Sequence, residues 1–128
     1  MMKVEIYAKN IDLTEELKKY ILEKILHLEK FMPEGKEILV AAEVSKTTNH
    51  HRKGEVFYAE IQMDFPGKSL RATATREDLE AAILEARDEA EREIKKFKEK
   101  NEDLKHKRGR LLKKIFSISP LAKKKKPL

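Results

Sequence analysis

Cysteine is absent from the 128 residues, and so is tryptophan. Without thiols there is no disulfide framework, and any metal site would have to be built from His and carboxylates. Glycine and proline number four each. No GxGxxG, phosphate-cradling loop or nucleophile elbow can be assembled from them. No apolar run approaches the roughly 18 residues of a membrane span. The opening MMKVEIYAKN is charged from residue 3, which is unlike a secretory leader. These absences point to a non-enzymatic, cytoplasmic protein with no cofactor, no metal centre, no small-molecule substrate and no membrane partner.

What the chain does have is charge. Asp, Glu, Lys and Arg make up 41% of it, against about a quarter in ordinary domains. The net +6 is unevenly spread. Residues 1–100 hold 19 Lys and Arg against 21 Asp and Glu, and residues 101–128 hold 10 against 2. The basic character therefore belongs to the tail. A polyanion site within the first hundred residues has to come from local segregation of charge.

Periodicity defines the elements. KVEIYA alternates, with Val4, Ile6 and Ala8 on one side, and reads as a strand. Thr14 is the expected N-cap of an amphipathic helix over 15–31, whose stripe is Leu17, Tyr20, Ile21, Ile25, Leu28 and Phe31. Pro33 and Gly35 stop it. Alternation at Ile38, Val40, Ala42 and Val44 predicts a second strand, and TTNHHRKG a flexible hairpin loop. Alternation at Phe57, Ala59, Ile61, Met63 and Phe65 predicts a third strand. After the turn at Pro66-Gly67, Leu70, Ala72 and Ala74 predict a fourth. Thr75 with Asp78 resembles a capping box opening a second helix over about 77–99.

The order β-α-β-β-β-α predicts an α+β two-layer sandwich. Its four-stranded sheet carries two helices side by side on one face, with a right-handed first crossover. The other face, with Glu43, Glu60, Gln62, Asp64 and Arg71, is expected to meet water. Residues 1–100 read as the domain. Residues 101–128 read as a basic tail, partly helical over 103–116, weakened there by Gly109 and disordered from Ser117.

Among polar groups, adjacent His50 and His51 point to opposite sides of an extended chain and so read as solvated loop rather than metal ligands. Lys24 falls inside the apolar stripe of the first helix, where a lysine must snorkel. His27 and Lys30 share one flank of that helix. Arg92, Lys96 and Lys100 recur at i, i+4 and i+8 in the second, with Lys95 beside them. Side by side, these helices can border one groove that suits phosphates. The segment EREIKKFKEK has a plainer reading too: acids early and lysines late complement the helix dipole without any partner.

Three blocks, NIDLTEELKKYILEKILHLEKF, SLRATATREDLEAAI and EREIKKFKEK, resemble in order the ribosome hibernation promoting factors, or ribosome-associated inhibitors, over about residues 2–100. The resemblance implies a translation inhibitor of stressed or stationary cells. It implies binding to the small ribosomal subunit, its 16S-type rRNA and neighbouring proteins, in the decoding channel of messenger and transfer RNA. It carries rRNA contacts onto Lys24, Lys30, Arg92, Lys95, Lys96 and Lys100, with His27 in a place often held by Lys. One departure is Glu80, where the family often has an aromatic in Asp-Met-Tyr-Ala-Ala-Ile. Long members also carry a dimerisation domain, and this chain has only the basic tail, whose Leu111, Leu112, Ile115 and Phe116 offer a weak contact to ribosomal protein or to a second copy. Two other readings stay open. One is a generic double-stranded RNA binder, against which stands the acidic helix start at Glu77 and Asp78. The other is a module meeting a protein or membrane through the tail.

Overall fold

The computed structural model describes residues 2–48 and 54–118. The elements are β1 (Met2–Lys9), α1 (Glu15–Leu26), a 3-10 turn (His27–Phe31), β2 (Ile38–Thr48), β3 (Glu55–Phe65), β4 (Lys68–Arg76) and α2 (Leu79–Ile118). The sheet order is β1-β2-β3-β4. β1 runs parallel to β2, and the other two pairs are antiparallel. The α+β architecture is the expected one. The chain forms two compact units, Met1–Lys95 and Lys96–Leu128, so α2 begins in the first and ends in the second.

One face of the sheet is apolar because the registers line the alternating residues up. Val40, Met63 and Leu70 form one cross-strand row, and Ala42, Ile61 and Ala72 the next. All six are buried, as are Ile21, Ile25 and Leu28 of the α1 segment and Ala82, Ile83, Ala86, Ala90 and Ile94 of α2. Alanines on both the sheet and α2 let backbones approach closely, while the isoleucines fill the space between layers. Ile21 and Ile25 meet Ile83 and Ala86 above Ala42, Val44, Ala59 and Ile61 around a void of only 10 Å³, about the least that admits a water. Both helices therefore cover the same face. Each fully buried Ile or Leu contributes about 1.5–3 kcal/mol.

The other face is less wet than alternation implied. Gln62 and Arg71 are exposed, whereas Glu43, Glu60 and Asp64 are half-buried. Glu43 lies directly opposite Glu60, an unfavourable pairing, and the ion pair of Glu60 with Arg71 offsets it. Asp64 accepts from Ser69 Oγ at 2.7 Å.

The ends of the elements have local causes. Thr14 Oγ1 accepts from the Leu17 amide at 3.1 Å, as expected of an N-cap. The helix over 15–31 does not stay α-helical: from His27 it tightens to 3-10, and Met32 is extended at ψ 148°, the conformation Pro33 imposes on the residue before it. Between the paired residues Phe65 and Lys68, Gly67 takes φ 81°, the third position of a type II turn that Pro66 starts. β2 extends through Thr48, so the first two residues of the expected hairpin loop belong to the strand. Residues 49–53 of that loop, with His50 and His51, and the tail from residue 119 lie outside the described residues.

Two expectations for α2 need correction. Thr75 is not its cap, because it is still paired with Tyr58 in the sheet. Asp78 caps instead: its Oδ2 accepts from the Ala81 amide at 3.1 Å and its carbonyl from the Ala82 amide at 3.0 Å. The helix also runs past 99 to Ile118, through Gly109, whose cost of about 1 kcal/mol relative to alanine is too small to end it. Asp78→Ala is expected to lower stability by about 1 kcal/mol, and Thr75→Ala by less than about 0.5 kcal/mol as a surface change. Chemical denaturation of both variants checks the assignment.

Candidate nucleic-acid interface

The 3-10 turn that follows α1 and the fourth and fifth turns of α2 meet at an aromatic–cation cluster. Its centre is Phe31, half-buried at the end of the 3-10 turn. Lys30 Nζ lies 5.3 Å from the Phe31 ring centroid and Lys95 Nζ 5.0 Å. The His27 ring lies 5.7 Å from the same ring, tilted at 60°. Such cation–ring contacts are worth about 0.5–1 kcal/mol when exposed, enough to bias the Lys30 and Lys95 side chains toward the ring.

Glu91 ties the two segments together. Its Oε1 accepts from His27 Nε2 at 3.2 Å and its Oε2 from Lys95 Nζ at 2.9 Å. The bond from Lys95 holds the Glu91 carboxyl below the usual carboxylate range; burial opposes this and the His27 bond reinforces it. The sign follows: this tie is intact above the ordinary carboxylate range and is lost as pH falls through the depressed Glu91 value.

One turn before the cluster, Lys24 is half-buried beside Ile21 and Ile25. Its Nζ lies 4.9 Å from the Tyr20 ring centroid. Partial burial of a lysine beside isoleucines fits a stem that covers apolar surface, as snorkelling requires. The Tyr20 phenol is raised, first by burial and then by the carboxylate of Glu80.

The sequence-derived residues separate into three groups. His27, Lys30 and Lys95 gather around Phe31, with Lys24 on the preceding turn. Arg92 does not join them: its Nε and Nη2 both donate to Glu89 Oε2, at 3.1 and 2.7 Å, which raises the guanidinium. Lys96 and Lys100 are exposed, lie in the second unit, and enter no ion pair among the described residues. Lys24 and Lys30 also enter none among the described residues, so meeting a phosphate requires no carboxylate to be displaced. Lys95 and Arg92 must first leave Glu91 and Glu89.

Sequence reasoning missed Phe31 and Glu91. Phe31 fitted the apolar stripe and was taken as core, although an aromatic beside Lys30 and four residues after His27 is an aromatic interleaved with bases. Glu91, four residues before Lys95, carried the ordinary signature of an i, i+4 helix pair, and its second partner, His27 of the 3-10 turn, lies 64 positions away.

The comparisons with known proteins agree with this fold. Residues 4–102 match the family model described as Sigma 54 modulation protein / S30EA ribosomal protein. A ribosome hibernation promotion factor of Deinococcus radiodurans is 31% identical over 98 residues, covering 77% of this chain and 50% of that protein. The chain thus spans about half the length of that relative. A ribosome hibernation promoting factor of Pseudomonas putida is 30% identical over 103 residues, covering 80% of this chain and 93% of its own. The crystal structure of the Thermus thermophilus Protein Y N-terminal domain superposes with a TM-score of 0.63 at 27% identity, covering 76% of this chain and 99% of that one. The chain belongs to the Sigma 54 modulation protein / S30EA ribosomal protein family.

Proposed function

We propose that this protein binds the small ribosomal subunit in the decoding channel, where messenger and transfer RNA sit, and holds ribosomes inactive during stress. The names of its relatives supply ribosome hibernation. The observation that carries the local reading is the pair of ammoniums that enter no ion pair among the described residues, Lys24 and Lys30, each lying over an aromatic ring beside the His27–Glu91–Lys95 tie. Fixed cations lose less conformational freedom on meeting phosphates than free ones do. Lys95 and Arg92 extend the contact along α2 within the first unit, and Lys96 and Lys100 supply further cations in the second. The tail adds attraction to any polyanion without reading sequence.

Cosedimentation with purified small subunits across a salt series tests this. With about five phosphate contacts, the slope of log affinity against log salt is expected near −3.5 to −4.5, from ~0.7–0.9 per contact. Affinity that stays flat with salt overturns the electrostatic interface.

A further inference from the structure

The two edges of the sheet differ. At the β4 edge, the layer-facing residues Leu70, Ala72 and Ala74 are buried. The charges along that strand are Lys68, Arg71 and Arg76, all of one sign, so a second copy of β4 is repelled. At the β1 edge, Met2, Val4, Ile6 and Ala8 are only half-buried, although their β2 neighbours Ile38, Val40, Ala42 and Val44 are buried. The helix layer stops short of closing over β1.

Leu22 and Leu26, one turn apart on the outer flank of α1, are 38% and 46% exposed. Two clefts adjoin the strand. One, of 520 Å³, is lined by Val4, Ile6 and Leu22 with charged neighbours. The other, of 670 Å³, is lined by Met2, Leu26, Met32 and Ile38 among others. An unpaired strand beside an open apolar layer is a template for one more strand.

The charges on β1 select the occupant. Along its open face the strand reads Lys3, Glu5, Tyr7, Lys9, alternating in sign where β4 does not. We infer that the free edge of β1 pairs with β1 of a second copy, antiparallel, with Val4 on the two-fold axis. That register sets Lys3 opposite Glu5 twice by symmetry and Met2 opposite Ile6. Leu22 flanks Val4 and Ile6, and Leu26 flanks Met2, so the same axis turns Leu22 of one copy toward Leu26 of the other. The two sheets become one eight-stranded sheet, and the half-buried layer over β1 closes. With only residues 2–6 overlapping, the dimer belongs to the weak class of interfaces.

Sedimentation velocity over a concentration series up to submillimolar tests the pairing, with no ribosome present, so its outcome is separate from the ribosome-binding reading. The native chain is expected to dimerise reversibly. Glu5→Lys turns two attractive pairs into repulsive ones and is expected to weaken the dimer about tenfold or more. Lys3→Glu combined with Glu5→Lys exchanges the charges and restores it. Because the chain lacks cysteine, register is read directly. Oxidised Val4→Cys is expected to form a covalent dimer, since opposed residues lie about 4.5–5.5 Å apart at Cα, within disulfide reach. Ile6→Cys, facing Met2 of the other copy, is expected not to. A chain that stays monomeric throughout overturns the inference. So does a dimer indifferent to Glu5→Lys, a charge exchange that fails to restore pairing, or linkage through Ile6→Cys in place of Val4→Cys.

Discussion

Lys24→Glu combined with Lys96→Glu is expected to abolish the proposed translation inhibition at wild-type concentrations in a cell-free assay. Each substitution removes an ammonium that enters no ion pair among the described residues and sets a carboxylate against phosphate. At about 1.4 kcal/mol per reversed contact, the two together weaken binding about a hundredfold. Stability should change little, because Lys96 is exposed and Lys24 only half-buried. Equal thermal midpoints for the variant and the native chain check that point. Lys9→Glu with Lys68→Glu changes net charge by the same amount at exposed ends of β1 and β4, and it should leave inhibition close to native. If the first pair inhibits as well as the native protein, the interface is assigned to the wrong surface. If both pairs fail alike, net charge and not position governs binding.

Leu28→Ala costs about 2–5 kcal/mol of folding stability, the range for a fully enclosed leucine whose cavity only partly collapses. Leu28 is 0% exposed and sits within the 3-10 turn, so the loss falls where the cluster is anchored. A domain of this size has about 5–15 kcal/mol in total, which leaves the variant near its limit. Urea titration reads the change as a lower midpoint. Leu22→Ala, at a position 38% exposed, should shift that midpoint much less. A Leu28→Ala chain as stable as the native one would mean that the turn is not held by its core contact.

The strands and the layer order were legible in the sequence because they depend on patterns the chain carries locally. Val40, Ala42 and Val44 alternate whatever lies opposite them, and the Thr14 cap needs only the amide of Leu17. What was not legible depends on partners far along the chain. Thr75 and Asp78 both qualify as caps by type; the choice between them is made by the pairing of Thr75 with Tyr58, which keeps β4 extended to Arg76. Arg92 matched the basic row by spacing, yet Glu89 was equally within its reach, and spacing alone does not rank two neighbours. Phe31 was read as core because apolar type and helical phase are the same for a residue under a layer and for one at its rim. Only the position of Lys95, on a helix 64 residues further on in sequence, distinguishes them.

The tightening of the chain at His27 has a consequence for angular phase. Three residues of α-helix turn about 300°, so a side chain three places on falls about 60° short of the one before it. Three residues of 3-10 helix complete a revolution of about 360°, and side chains three apart eclipse. His27 and Lys30 therefore project in one direction, as do Leu28 and Phe31, where continued α-winding would fan them apart. One row thus runs from buried Leu28 to half-buried Phe31 at the rim of the layer, and the other from half-buried His27 to exposed Lys30. A single residue inserted ahead of Lys30 would turn every later side chain of the turn by about 120° and carry Phe31, together with Lys30, away from the Lys95 ammonium on α2 with no residue type changed. In this stretch loop length is under tighter constraint than side-chain identity, and relatives that keep the lysines but differ by one residue here should have lost the cluster.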